Sequence, residues 1–196
     1  KPWQDYLHVR GAQLSAEERG LDIGARYDAN EHTSMSPFCC STIYLSSEAL
    51  CLNWSPVKQK QLLLFGTSTC EVKIWDVSGQ STMAEFRTDP LYPVVQCAQF
   101  CKAVPTQIIT SSSNAQNSER SYRLDSNNAL SGKLQLWDIN RRKEVKTLAI
   151  GRTPAAINAI DFDESGKLMV TGGSDGMIRV YDLNTAMLVQ RWHAHD

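Results

Sequence analysis

The sequence predicts an all-β chain assembled from a repeated unit of four antiparallel strands. Three observations carry that expectation. An aromatic-Asp pair closes a short alternating segment three times: "EVKIWD" ends at Trp75-Asp76, "KLQLWD" at Trp137-Asp138 and "MIRVYD" at Tyr181-Asp182. Within each segment the apolar residues take every second position, which is the period of a strand and not of a helix. The pairs also recur at a regular interval. Tyr181 lies 44 residues beyond Trp137, and Trp137 lies 62 beyond Trp75. The excess sits in one polar stretch, "SSSNAQNSERSYRLDSNNALSG", from Ser111 to Gly132. Removing about 18 residues there restores a repeat of about 44, inside the range of roughly 40–45 seen for four-stranded units.

The remaining strands align around those pairs. The first unit reads "ALCLNW", "QLLLFGT", "EVKIWD" and "STMAEF"; the second reads "VVQCAQF", "QIITSS", "KLQLWD" and "EVKTLAI"; the third reads "AINAIDF", "KLMVTGG", "MIRVYD" and "MLVQRW". Trp54, Phe100 and Phe162 share one slot of the first strand, and Leu52, Ala98 and Ile160 share another. The units span about residues 45–86, 92–149 and 154–192, with an insertion at 112–131. Residues 1–36 leave two readings open. Tyr27-Asp28 lies 48 residues before Trp75, the distance for a degenerate unit with "FCCSTIYL" as its outer strand. Alternatively, Ser15 and Glu18 stand at capping-box spacing for a short helical turn.

These units resemble WD40 repeats, the blades of a β-propeller, here a partial one of about three to four blades. In that family an Asp in the turn between the second and third strands, a His before the first, a Ser or Thr on the second and the Trp on the third form a buried polar network. The resemblance places Asp175 and Thr171 in two of those positions and His195 at the entry of a following repeat. The network is incomplete in each unit. Tyr181 replaces Trp, and the turn positions of the other units hold Thr69 and Ser131. Stability must then rest more on apolar packing than on the network. Three or four such units would leave an apolar face at each end, so the chain reads as a fragment that continues past Asp196.

Composition excludes several function classes. Twenty basic and 21 acidic residues give a net charge of −1, without the concentrated basic face of a nucleic-acid binder. The cluster Arg141-Arg142-Lys143 reads as a solvated turn. Six cysteines lack metal-ligand spacing, and Cys51, Cys70 and Cys97 lie in or beside apolar strands, as reduced, buried thiols do. His193 and His195 have no carboxylate or thiolate cluster nearby in sequence, so no metal is expected. "GGSDG" lacks the ending of a phosphate loop, and no nucleophile elbow is present. Asp76, Asp138 and Asp182 recur at the end of every third strand, which suggests a turn role. No catalytic residue and no cofactor is expected.

Function is therefore sought on the surface. The insertion is far longer than a usual hairpin loop, and in it Arg120, Tyr122, Arg123 and Leu124 interrupt the Ser/Asn run as candidate contact residues. The combination of "LLLFGTSTCEVKIWD", the insertion before "GKLQLWD", "AINAIDF" and "LMVTGGSDGMIRVYDL" resembles the endosomal-trafficking members of the family. That resemblance implies a non-catalytic scaffold, cytoplasmic and peripheral on early and late endosome membranes. It implies three protein partners: a Rab-type GTPase, a phosphatidylinositol 3-kinase complex and a larger WD-repeat protein. It also implies a dimerising region outside this chain. The alternative in the same family is a substrate receptor of a ubiquitin ligase. Such receptors often carry Arg two residues after the repeat Asp, where this chain has Ser78, Asn140 and Asn184. A propeller enzyme would need polar groups on the first strands, which here are mostly apolar.

Overall fold

The computed structural model describes residues 43–114, 131–152 and 154–194. The chain divides into two units, 1–46 and 47–196, and the described strands all lie in the second. Tyr27-Asp28, Ser15, Glu18, Cys39, Cys40 and the start of "FCCSTIYL" lie outside the described residues, as do Arg120, Tyr122, Arg123, Leu124 and His195.

Twelve strands form three four-stranded antiparallel sheets, each in sequence order. The first sheet holds β1 (Ala49–Trp54), β2 (Leu62–Thr67), β3 (Glu71–Asp76) and β4 (Ser81–Arg87). The second holds β5 (Val94–Phe100), β6 (Gln107–Ser113), β7 (Gly132–Asp138) and β8 (Lys143–Leu148). The third holds β9 (Ile157–Phe162), β10 (Leu168–Gly173), β11 (Met177–Asp182) and β12 (Met187–His193). This is the expected all-β architecture, that of a partial β-propeller. Both bounds of the insertion differ from expectation. Ser112 and Ser113 belong to β6 and are buried, and Ser131 bridges to Ala155. The insertion therefore begins and ends inside the span 112–131, because its flanks complete the ladder of β6 and β7, where Ser113 faces Gly132.

The same register repeats in each sheet. Trp75 pairs with Leu63, Trp137 with Ile108 and Tyr181 with Met169. The last hairpin of each sheet is also the same. Asp76 Oδ1 accepts hydrogen bonds from the backbone N–H of Ser78 (2.9 Å) and Gly79 (3.0 Å). Asp138 Oδ1 accepts from Arg141 N–H, and Asp182 Oδ1 from Asn184 N–H, both at 2.8 Å. Four residues after each Asp, the chain enters the left-handed region at Gln80, Arg142 and Ala186, with φ of 48, 53 and 52°. The pairing then shifts register at Trp75, Trp137 and Tyr181. A short polar side chain that holds the turn, followed by a left-handed residue, is how such a hairpin reverses without splaying its strands. The recurring Asp is thus a turn former.

Alternation sends each strand's side chains to both faces, so every sheet has two apolar faces to cover. Between the first two sheets, Leu64, Val72, Ile74 and Phe86 meet Val95, Phe100, Ile108 and Trp137. Phe86 and Trp137 lie 5.7 Å apart between ring centroids, tilted by 57°. Between the second and third sheets, Ile109, Leu134, Leu136 and Leu148 meet Ile157, Ile160, Met169 and Tyr181. The innermost strands are tied by polar side chains. Asn53 Oδ1 accepts from Phe100 N–H (3.1 Å), and Gln99 Nε2 donates to the Ile160 carbonyl (2.7 Å). Asp161 takes the corresponding position on β9 and turns back to its neighbour's N–H, that of Phe162.

The outer faces are left apolar. On the third sheet, Leu168 (43% exposed), Val170 (38%) and Trp192 (41%) occupy the positions that Leu62, Leu64 and Phe86 hold buried in the first. On the first sheet, Leu52 and Trp54 are exposed.

Close approach of the first two sheets requires Gly66. A Cβ there would stand 2.4 Å from Val95 Cγ1 and 2.9 Å from Cys51 Sγ. The equivalent Gly172 has space, its nearest neighbour being Ala159 Cβ at 3.9 Å. Gly66→Ala is therefore expected to destabilise the fold by about 1–3 kcal/mol in urea unfolding, as overpacking does. Gly172→Ala should fall within about 0.5 kcal/mol of the parent.

Candidate interaction site

The repeat network survives best in the second unit. Trp137 Nε1 donates to Thr110 Oγ1 at 2.8 Å, with both residues buried. In the first unit Phe65 stands where Thr110 stands, so Trp75 has no hydroxyl to meet at that position. In the third unit the slot holds Thr171, but Tyr181 is shorter than Trp and points elsewhere. Its hydroxyl donates to the Ala149 carbonyl (3.0 Å), and burial pushes it up to about 12. Thr171 Oγ1 is buried beside the phenol, on which it acts against the effect of burial, and meets no other polar group among the described residues.

Asp175 has a different partner. Its carboxylate forms a two-point ion pair with Arg179, four residues on. The Nη1 contact to Asp175 Oδ1 is 3.1 Å, and Nη2 meets Oδ2. Arg179 is 2% exposed, and its Nε donates to the Ile150 carbonyl at 2.6 Å. One guanidinium thus joins the β10–β11 turn to the connection between the second and third sheets. Such a buried cation is tolerable only because its donors are used. Gly173 makes the space: a Cβ there would stand 2.5 Å from Asp175 Oδ1 and 2.8 Å from Arg179 Nη1. The Arg179 hydrogen bonds hold the Asp175 carboxyl below the usual aspartate range, against the opposing effect of partial burial.

An open cavity of about 710 Å³ adjoins this pair, and Arg152, Arg191, Trp192 and His193 border it with Asp175 and Arg179. It lies at the end of the sheets where the β10–β11 turn meets the connection from β8 to β9. The base of the insertion is at that same end. Gly132 N–H donates to the Pro154 carbonyl (3.1 Å), and Asn114 Oδ1 accepts from Ser131 N–H (3.0 Å). The candidate contact residues Arg120, Tyr122, Arg123 and Leu124 belong to the segment those bonds close, and lie outside the described residues.

Among the described residues, Cys51, Cys70, Cys97 and Cys101 are free thiols. Burial pushes Cys51 and Cys101 up to about 12 and Cys97 to about 11, so these three are protonated and inert as nucleophiles. Among the described residues, no three His, Cys, Asp or Glu side chains converge on a point that could hold a metal.

Comparison with known proteins agrees with the geometry. Residues 142–182 match the model of the WD domain, G-beta repeat. These residues carry a WD40 repeat. It is 30% identical to WD repeat-containing protein 91 of Danio rerio over 156 residues, which is 80% of this chain and 21% of that protein. It is 31% identical to WD repeat-containing protein 91 of Xenopus tropicalis over 157 residues, 76% of this chain and 20% of that protein. It is 28% identical to the Dictyostelium discoideum homolog over 155 residues, 79% of this chain and 18% of that protein. The chain thus spans about a fifth of the length of the curated relatives it matches.

Sequence reasoning picked out Asp175 but missed Arg179. The signal was there: an Arg at an inward position of a strand, four residues after an Asp and two before the aromatic. Asp175→Asn would leave the buried guanidinium of Arg179 without its counter-charge. Allowing for the partial exposure of Asp175, the expected loss is about 1–2 kcal/mol at neutral pH. The pH dependence has a definite sign. A carboxyl lowered on folding stabilises the fold above its unfolded pKa, and that contribution is lost as pH falls through the folded value. Urea titrations from neutral pH into the acid range should show parent and Asp175→Asn converging as pH drops through the aspartate range.

Proposed function

We propose that this chain is part of a non-catalytic WD40 scaffold in endosomal trafficking, a cytoplasmic protein held peripherally on early and late endosomes. In this reading it engages an active Rab-type GTPase and restrains a phosphatidylinositol 3-kinase complex during early-to-late endosome conversion, together with a larger WD-repeat partner. The observation that carries the reading is the similarity to WD repeat-containing protein 91 over most of the chain. Two features support a binding role. The four-stranded units are a rigid frame, and the long insertion, the unit connection and a cation-bordered cavity gather at one end of it. Loops held by such a frame are where binding residues concentrate.

The test is a pull-down from cells with the full protein and with a version lacking residues 115–130. That deletion spares β6 and the Ser131–Ala155 bridge. The full protein should recover a GTP-loaded Rab-type GTPase or the lipid-kinase complex, and the deletion should reduce recovery several-fold. Recovery of neither by the full protein rejects the trafficking reading.

A further inference from the structure

One cross-strand position distinguishes the three sheets. It lies two residues before the aromatic of each aromatic-Asp pair, where the third strand faces the fourth. In the first sheet Lys73 stands opposite Glu85, an opposite-charge pair at 3.9 Å. In the second sheet Gln135 stands opposite Thr147. In the third sheet Arg179 stands opposite Arg191. Like charges directly opposite one another weaken a sheet. Arg179 is moreover 2% exposed, so salt screens its charge poorly.

Both arginines of this pair border the open cavity of about 710 Å³, and Arg152 borders it from the connection between β8 and β9. Asp175 is the one acid among the lining residues, and Arg179 engages it. Three arginines against one aspartate leave two positive charges in excess. Among the described residues neither Arg152 nor Arg191 pairs with a carboxylate. Arg179 spends three of its five N–H donors on Ile150 and Asp175, which leaves two for a ligand.

We propose that this cavity binds a phosphate monoester, with Arg152 and Arg191 on its oxygens and Arg179 behind them. A phosphate monoester carries about −1.5 to −2 charge near neutral pH and presents three strong acceptor oxygens. That charge matches the cationic excess, which a single carboxylate or a sulfate ester only half neutralises. Arginine forks meet phosphate oxygens in two-point contacts. The bound anion relieves the like-charge pair of the third sheet as Glu85 relieves Lys73 in the first. The cavity leaves room for the molecule that carries the phosphate, whether a soluble ester or a lipid headgroup. The inference goes beyond the scaffold reading and does not rest on it.

The experiment is isothermal titration calorimetry of the full protein with inorganic phosphate, glycerol 3-phosphate and acetate at matched ionic strength. Sedimentation on phosphatidylcholine vesicles, with and without a phosphatidylinositol phosphate, runs beside it. A phosphate probe should bind, acetate should not, and added salt should weaken binding. Arg191→Glu copies the opposite-charge pair of the first sheet into the third. It should bind the phosphate probe at least roughly tenfold more weakly, with a melting temperature no lower than the parent's. Arg152→Ala, at an exposed position in the connection, should also weaken binding and keep the parent's melting temperature, so the test stands even where Arg191→Glu fails to fold. Binding of the soluble phosphates identifies a free ester as the source, and binding of the phosphoinositide vesicles alone identifies a headgroup. Either supports the proposal when the arginine variants lose it. Equal binding by parent and variants overturns the proposal. So does acetate binding as tightly as phosphate, or binding of no phosphate probe in solution or on vesicles. Because the probes contain no cellular partner, this titration and the pull-down can succeed or fail separately.

Discussion

A four-stranded sheet with apolar side chains on both faces cannot bury itself. Each sheet of this chain solves that problem by lying against the next, and the middle sheet does so twice. The magnitudes explain why the polar signature can decay while the fold persists. A fully buried Leu, Ile or Phe side chain contributes about 1.5–3 kcal/mol, while a neutral hydrogen bond contributes about 1 kcal/mol. Leu64, Val72, Ile74 and Phe86 at one interface, and Ile109, Leu134, Ile157 and Met169 at the other, outweigh any single member of the network. Only the second unit keeps its Trp–Thr bond, yet the three sheets share one register.

Where the network is lost, something local replaces it. The first unit fills the hydroxyl slot with Phe65, a buried apolar side chain. The third unit exchanges Trp for Tyr181 and recruits Arg179 to tie the turn at Asp175 to the connection from the second sheet. The first unit's turn is held instead by Thr67, whose Oγ1 accepts from the N–H groups of Thr69 (3.3 Å) and Glu71 (3.2 Å).

Much of the fold was legible in the sequence because strand alternation and the spacing of Trp75, Trp137 and Tyr181 are local, periodic signals. The equivalence of Trp54, Phe100 and Phe162 follows from the same period, and the pairing confirms it. The turn role of Asp76, Asp138 and Asp182 was legible because a short acceptor before a hairpin has one favourable use. The Asp175–Arg179 pair was not, because Thr171, which faces Arg179 across β10 and β11, offered a family reading that drew attention from it. The cavity was not legible at all. It depends on Arg152 and Arg191, 39 residues apart in sequence, meeting across a sheet junction. The insertion's bounds were misplaced by the Ser run, since Ser111, Ser112 and Ser113 look like loop residues while β6 buries them.

If mutual burial of neighbouring sheets is what holds the structure, local stability must follow the number of covered faces. Amide hydrogen exchange measured along the chain tests this most directly. The account predicts strongest protection in β6 and β7, whose sheet is covered on both sides. It predicts weakest protection in β12, an edge strand on a sheet whose outer face exposes Leu168, Val170 and Trp192. Equal protection across the three sheets, or greater protection in β9–β12 than in β5–β8, would contradict it.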